Sequence, residues 1–448
     1  MGMNKEGLLS SVRFGAAATA VFLASVPCMP AAADTTIAAQ VQAAVVEQAV
    51  DELRSIYAHS EQPLWIDENG RLDPAASALV RLVRTAEYDG LDPRELGFGE
   101  LERAVEMAGT EHSPAALAKA ELLLSRALGK YMAALRSPPA TDMIYEHEIL
   151  KPLQPAMHTA LAQARAARSL QAFIENMEWM HPLYAPLRHA LAEGKHNGSQ
   201  TFVATRNLER LRAIPATPWD RHVLIDAAGA RLWMYEGDRV VGSMRVVVGK
   251  PDSQTPMMAG YIRNAVLNPY WNVPTDLIRQ RIAPGVLNEG PRYLRVRNYE
   301  VLSGWGEHAQ VLDPGKIDWR KVRDGTMDVR VRQRPGASNA MGEVKFEFPN
   351  PLGIYLHDTP EKALMTEEAR QFSSGCVRLE DAERLGRWLL GGDMPRAGAP
   401  EQKIDLAKPV PIYITYLTAS ADGDKVALGP DPYARDRPDG AAMALRAH

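Results

Sequence analysis

The chain has 448 residues, of which 46% are apolar, and a formal net charge of −4. It is too long for one ordinary domain, and its apolar content is typical of a soluble globular protein. The charges are nearly balanced and show no basic cluster, so no nucleic-acid partner is expected.

The first residues show the pattern of a secretory signal peptide. Lys5 and Arg13 supply positive charge, residues 14–26 are apolar but too few to span a bilayer, and a run of alanines ends at Ala33. We therefore predict a signal peptide over 1–33, cleaved near Ala33, and no stable membrane span afterwards. Retention of this segment as a membrane anchor stays open.

The cysteine count points to one unusual thiol. Cys28 follows Pro27, which does not suit a lipoprotein signal, and cleavage would leave Cys376 alone. Exported proteins normally pair their cysteines, so a single one is either an accident or a reactive thiol. One thiol excludes a cysteine zinc cluster and the histidines lack ligand spacing, so neither a metal nor another cofactor is expected.

The first half of the mature chain reads as helical. Asp73 is the predicted N-cap of one helix, with Pro74 at its first position. Apolar residues recur at helical spacing over 34–60, 75–88, 113–136, 156–177 and 181–193. We predict an α-helical scaffold domain over 34–193 that carries no chemistry. A polar linker is predicted over 194–218, with one helical turn at 207–211.

The pattern then changes to short strands. Residues 221–226, 231–235 and 240–249 are separated by Gly/Asp turns, which favours an antiparallel sheet. Residues 275–330 interrupt it and are predicted to cover the sheet as a lid, or to be an edge elaboration without a role. Further strands are predicted at 354–357 and 410–417, and residues 436–448 are predicted to be a disordered tail.

Two segments combine residues suited to nucleophilic chemistry. His357 precedes a Ser-Ser-Gly-Cys run that ends at Cys376. A thiol needs a base at neutral pH, and imidazole has a suitable pKa. Gly375 permits a tight turn whose N–H groups can hold an oxyanion. The alternative is that both are buried structural residues.

Together with this core, a series of further motifs resembles the catalytic domain of the L,D-transpeptidases, the YkuD family. The motifs lie at residues 246–250, 255–256, 268–274, 332–336, 339–342, 344–346 and 348–350. The helical half is similar to the scaffold of the larger periplasmic members, chiefly at 86–93 and 181–184. The resemblance implies a multi-domain α+β fold: the helical scaffold domain, then a mostly antiparallel β-sandwich or barrel-like catalytic domain over 219–435, with 275–330 as an inserted capping subdomain.

The resemblance also implies roles for individual residues. Cys376 would be the nucleophile and His357 the base, while Tyr355 and the backbone N–H groups around Gly375 and Cys376 would contact the oxyanion. Arg378 would either bind a substrate carboxylate or serve as a structural tie. The remaining site residues named by the resemblance are Ser374, where many members carry a second histidine, and Asn339 and Trp271 as groove-lining contacts.

The implied activity is cross-linking of peptidoglycan stem peptides, which are both acyl donor and acceptor, in the periplasm, through a cysteine thioester. An L,D-carboxypeptidase or wall hydrolase using the same site stays open, as does a non-catalytic wall-binding protein. The peptidoglycan-binding module of the larger members has no counterpart here, so the acyl donor residue, third or first in the stem, stays open. Wall-synthesis proteins are possible partners, and the sequence does not identify them.

Overall fold

The computed structural model describes residues 36–137, 141–216, 220–306 and 308–437. The predicted signal peptide over 1–33 and its cleavage position lie outside these residues. So does the predicted tail, apart from its first two residues.

The first half is built from helices joined by short turns. Side chains cap several of them: Asp73 accepts from the Ala75 N–H with Pro74 next to it, as predicted, and Ser113 accepts from the Ala116 N–H. In the described part of the chain, no helix is both long and apolar enough to cross a membrane. The helices are α1 Ile37–Gln48, α2 Asp51–Ala58, α3 Pro74–Arg84, α4 Phe98–Glu111, α5 Pro114–Leu135, α6 Met157–Ala166, α7 Leu170–Glu175, α8 Tyr184–Glu193 and α9 Gly198–Arg212.

Helix α9 corrects the prediction of a polar linker with a single helical turn. Its first residue follows Asn197, whose side chain accepts from the Gln200 N–H at 2.9 Å, while the Gln200 side chain accepts from the Asn197 N–H at 3.1 Å. This reciprocal capping box starts the helix inside the polar stretch that composition alone suggests is a linker. Buried Asn207 then joins α9 to Thr418 by two hydrogen bonds.

The second half is a largely antiparallel sheet. The main sheet includes one short strand, β1, from the helical half. Strands β6, β7 and β8 form a separate three-stranded sheet, and β14 and β15 form a separate two-stranded sheet. The strands are β1 Ile144–Tyr145, β2 Arg221–Asp226, β3 Arg231–Glu236, β4 Arg239–Gly249, β5 Met258–Leu267, β6 Trp271–Asn272, β7 Tyr299–Leu302, β8 Arg330–Gln333, β9 Val344–Glu347, β10 Leu356–His357, β11 Gln371–Ser373, β12 Val377–Leu379, β13 Gln402–Thr415, β14 Ala419–Asp422 and β15 Lys425–Leu428.

The main sheet closes into a barrel. Its strand order is β5-β13-β2-β3-β4-β12-β10-β9, and β9 pairs with β5 again. The pairs β13–β2 and β10–β12 are parallel and the other pairs of this ring are antiparallel. The predicted class, α+β with a helical first half and a mostly antiparallel second half, is confirmed.

The segment between β5 and β9 forms a cap with its own core. Strands β6, β8 and β7 form its sheet, and α10 Thr275–Leu277, α11 Ala283–Glu289, α12 Arg292–Val296 and α13 Trp319–Arg323 surround it. Its buried side chains, among them Ile278, Val301 and Val331, form a cluster separate from the main core. Both ends of the cap leave the barrel together, because Leu267 of β5 pairs with Val344 of β9.

The helical half and the barrel share one continuous core. At their junction His181, just before α8, packs against His222 of β2 with ring centroids 5.8 Å apart. His222 also stacks on Tyr235 at 4.5 Å. Both imidazoles are buried, and neither ring nitrogen of His222 has a hydrogen-bond partner among the described residues. Burial lowers the pKa of His181 to about 3 and that of His222 to about 4.

The end of the described chain corrects the predicted start of the tail. Asp436 is buried, and its carboxylate accepts two hydrogen bonds from Arg210 of α9, at 2.8 and 2.5 Å, and one from Thr418. Local composition suggested disorder from this position onward. The buried arginine partner, 226 residues away in sequence, holds it in place instead.

Candidate active site

The cysteine lies on a turn that requires a glycine. The turn connects β11 to β12, and Gly375 has φ +112°, in the region that favours glycine. A Cβ added there would lie 3.1 Å from Ile354 Cδ1. Ser374 is exposed at the tip of the turn and Cys376 is partly exposed. The turn therefore presents the thiol at the end of β12.

Hydrogen bonds within and beneath the turn fix its shape. Ser373 Oγ accepts from the Gly375 N–H at 3.1 Å and donates to the Cys376 carbonyl at 2.6 Å. Thr255 Oγ1 donates to the Gly375 carbonyl at 2.7 Å and accepts from the Gly249 N–H at 2.8 Å. The Gly375 N–H, predicted as an oxyanion contact, is thus bound to Ser373 in this conformation.

A tyrosine from the end of the chain supports the same network. Tyr433 donates its hydroxyl to the Gly249 carbonyl at 2.8 Å and accepts from the Thr255 N–H at 3.3 Å. Its ring stacks on Tyr416 at 5.2 Å. The segment around Tyr433 therefore stabilises the loop between Gly249 and Thr255, which in turn is hydrogen-bonded to the cysteine turn.

His357 lies on the strand next to the cysteine. In the parallel pair β10–β12, Leu356 is level with Val377 and His357 with Arg378. The Val377 N–H also donates to the Tyr355 carbonyl at 2.9 Å, so the pairing continues one residue further. Cys376 and His357 are thus two positions apart on one face, about 8 Å between Cα atoms from standard strand spacings. Side chains of this length can meet across that gap.

The backbone sets the tautomer of His357. Its Nδ1 lies 2.6 Å from the Asp358 carbonyl. A carbonyl oxygen can only accept, so Nδ1 carries the proton and Nε2 is the unprotonated nitrogen. Nε2 is therefore the ring nitrogen that can accept a hydrogen bond or a proton.

Burial and charge keep the resting pair neutral. Burial raises the pKa of Cys376, although the Tyr355 N–H and the Arg378 charge act in the opposite direction. The thiol donates to the Gly353 carbonyl at 3.8 Å. Burial also lowers the pKa of His357 to about 4, with Arg378 adding to the effect. At neutral pH the site therefore holds a thiol and a neutral imidazole rather than an ion pair.

Two cations flank the imidazole in the same row of the sheet. His357 pairs with Lys345 on one side and with Arg378 on the other. Lys345 binds Glu347 at 3.0 Å and Glu401 at 3.4 Å, and its Nζ lies 5.8 Å from the centre of the Tyr355 ring. Of these two cations, Arg378 adds to the effect of burial and disfavours a second proton on the imidazole, while the charge of Lys345 is paired with the two glutamates.

Arg378 is tied to Glu361 in this structure, which is the structural alternative of the two predicted roles. It also lines a cavity of about 280 Å³ between the barrel and the cap. Trp271 lines the same cavity from the cap side, and its role as a groove-lining contact stays a prediction. The cavity lies on the face of the sheet that carries Cys376, because alternate residues of a strand share a face.

Asn339 does not have the predicted position. It is fully buried, its Nδ2 donates to the carbonyls of Pro269 and Arg334 at 3.1 and 2.9 Å, and its Oδ1 accepts from the Met341 N–H at 2.7 Å. These bonds hold the loop that re-enters the barrel from the cap. Burial and these partners keep the amide away from any groove.

Sequence reasoning missed four residues that shape the site: Ser373, Thr255, Tyr433 and Lys345. Ser373 sits inside the predicted motif and Thr255 in a motif of the resemblance, so both could have been found. Lys345 alternates with apolar residues on a predicted strand. This alternation indicates which face of the strand carries Lys345, but not that His357 lies beside it on the next strand. Tyr433 carries no local signal, because its contacts come from residues far away in sequence.

Family models match both halves of the chain. Residues 220–414 match the L,D-transpeptidase catalytic domain, YkuD, and residues 51–191 match the scaffold domain. The barrel half is therefore similar to the YkuD catalytic domain, and the helical half is similar to a scaffold domain. The matches fall within the predicted limits 34–193 and 219–435; those limits themselves stay predictions.

A relative of this chain carries the name of the same family. The chain is 34% identical over 243 residues to the "Putative L,D-transpeptidase" of Haemophilus influenzae, an alignment that covers 52% of this chain and 47% of the relative. The chain thus matches about half the length of that relative. A solved structure titled "Structure of the Ldtfm-avibactam carbamoyl enzyme" aligns over 45% of this chain and 51% of its own, with 12% identity and a TM-score of 0.21.

Proposed function

We propose that this protein is a peptidoglycan L,D-transpeptidase that joins two stem peptides through a thioester on Cys376. The observation that carries the proposal is the register of the parallel strands β10 and β12: Cys376 directly precedes β12, and His357 of β10 is level with Arg378, two positions further on. The match to the catalytic-domain family supports the same chemistry.

In the first half-reaction His357 Nε2 takes the thiol proton while the sulfur attacks the donor carbonyl. The oxyanion accepts hydrogen bonds from backbone N–H groups, with those of Tyr355 and Cys376 as the proposed donors. The intermediate then collapses, the C–N bond breaks, and the leaving amine of a D-amino acid takes the proton from the imidazolium. The acyl group remains on Cys376 as a thioester.

In the second half-reaction an acceptor amine from a neighbouring stem attacks the thioester. His357 takes a proton from that amine, the C–S bond breaks, and the sulfur regains a proton. One amide bond has replaced another, so the balance needs no oxidant, reductant or cofactor. The cap limits access of water, which would otherwise hydrolyse the thioester.

The decisive experiment offers the mature protein defined tri-, tetra- and pentapeptide muropeptides, with and without an acceptor stem, and identifies products by mass spectrometry. Wild type is expected to release a terminal D-amino acid and form dimers, and Cys376→Ala to form none. Dimers from Cys376→Ala would refute the proposal. Release without dimers would indicate an L,D-carboxypeptidase or wall hydrolase, and an unreactive thiol a wall-binding protein.

We also propose that the protein acts in the periplasm after loss of its first 33 residues. The support is the pattern of positive charge, short apolar run and alanines that ends at Ala33. N-terminal sequencing of protein from a periplasmic fraction is expected to begin at Asp34. An intact N-terminus on membrane-bound protein would instead indicate a retained anchor.

A further inference from the structure

We propose that the cavity between cap and barrel is a carboxylate subsite, in which Arg281 of the cap binds a free carboxylate of the stem peptide. The inference deepens the proposed function and rests on it. The cavity has a volume of about 280 Å³, and its polar lining includes Arg281, Arg297, Arg378 and Glu361. Three cations and one anion give the cavity a formal charge of +2.

The cavity is close to the reacting sulfur. Arg378 of β12, in its wall, is two residues beyond Cys376, which directly precedes that strand. At the usual strand rise the two are about 6.6 Å apart, and alternation puts them on the same face. A peptide whose reacting carbonyl lies against Cys376 therefore reaches the cavity within one or two residues. Stem peptides carry carboxylates at that range on either side of the reacting carbonyl, at the leaving D-amino acid and at the γ-linked glutamate.

The three arginines are not equally available. Arg378 is paired with Glu361. Arg297 binds Glu289 at 3.1 Å and stacks on Tyr293, with its guanidinium 4.0 Å from the ring centre. Arg281 is exposed and makes no ion pair with another described residue, so its charge is the one left for a ligand.

The backbone at Arg281 is also unusual. It lies in a π-helical turn, Ile278–Ile282, just before α11. Such turns are rare and occur often at functional sites. The same turn directs the neighbouring Ile282, as well as Arg281, to the cavity wall. The planar guanidinium suits bidentate binding of a carboxylate, and the aromatic side chains of Trp271 and Tyr299 line the walls.

The test compares three synthetic stem tetrapeptides: one with all carboxylates free, one amidated at the γ-linked glutamate, and one amidated at the terminal D-alanine. The rate of Cys376 acylation is followed by mass spectrometry. Wild type is expected to prefer the free peptide over one of the two amides by about tenfold or more, as loss of a charged hydrogen bond typically costs. The amidated peptide that acylates Cys376 more slowly than the free peptide identifies the carboxylate that the subsite binds.

Arg281→Gln is expected to remove this preference while still reacting with the amidated peptide. Arg292→Gln, an exposed arginine of the cap away from the cavity, is the matched control and should retain it. Glu361→Gln removes the competing anion and is expected to increase the preference. Equal acylation of all three peptides by wild type, or a preference unchanged in Arg281→Gln, overturns the subsite. Absence of acylation by any peptide overturns the proposed function instead.

Discussion

The hydroxyl of Thr255 is expected to hold the cysteine turn in its reactive shape. Thr255→Val keeps the branched side chain but leaves the Gly249 N–H and the Gly375 carbonyl without this partner in a buried position. Each unsatisfied group costs about 1–3 kcal/mol, so the turn loses about 2–6 kcal/mol of local stability. The expected consequence is an open turn within a folded barrel.

Two rates separate this opening from a general loss of fold. Acylation of Cys376 by a stem peptide is expected to fall by at least about tenfold, because the turn no longer presents the sulfur beside His357. Alkylation of the same thiol by iodoacetamide at pH 7 is expected to rise, since burial no longer raises the pKa of Cys376. Hydrogen exchange of the peptide spanning β11 and β12 should also become faster.

The matched control is Thr366→Val. Thr366 is exposed, and its hydroxyl donates to the Ala363 carbonyl within a short 3-10 turn. It should leave acylation, alkylation and exchange close to wild type. If Thr255→Val behaves like this control, the hydrogen bonds of Thr255 do not hold the turn and the reasoning is refuted.

Three further outcomes follow from the site and the junction. The alkylation rate of wild-type Cys376 should keep rising from pH 6 to above pH 9, because the pair is neutral at rest; a plateau reached near pH 5 contradicts this. His181 and His222 have lowered pKa values of about 3 and about 4, against 6.5 when unfolded. The unfolded chain therefore binds protons first, so stability is full above pH 6.5 and falls as the pH drops toward 4. Urea unfolding midpoints at pH 7, 6 and 5 measure this loss of stability, and His222→Phe should make the loss smaller. If the midpoint of His222→Phe falls with pH as steeply as that of wild type, the histidines of the junction do not cause the loss. Gly375→Ala should lower acylation about 10- to 100-fold through backbone strain of about 1–3 kcal/mol and the contact with Ile354, with the far-UV circular dichroism of the barrel retained; wild-type rates would contradict this account of the turn.

Much of the fold can be predicted from local patterns. Strands β2, β3 and β4 follow one another and are joined by Gly/Asp turns, and both the alternation and the turn chemistry act over a few residues. Closure of the barrel through β9 and β5 is not local, because it joins strands separated by the whole cap. Helix α9 was missed because two side chains that cap each other look like linker residues by composition.

The candidate site divides in the same way. From residue chemistry alone, His357 indicates a base, Gly375 a tight turn and Cys376 a nucleophile. The neutral state of the pair depends on burial and on Arg378 beside the imidazole, which only the strand register reveals. Asn339 shows the opposite case: its motif suggests a ligand contact, while its buried hydrogen bonds make it a loop support.

The way the cap is attached bears on how such enzymes can diversify. Leu267 and Val344 are directly paired, and the Asn268 N–H donates to the Glu343 carbonyl at 2.8 Å, so everything between them is topologically the loop of one hairpin. A stretch inserted there can be lengthened, swapped or deleted in a single genetic event while the strand ladder on either side keeps its register. The cap can thus change in evolution independently of the strands that carry His357 and the cysteine turn.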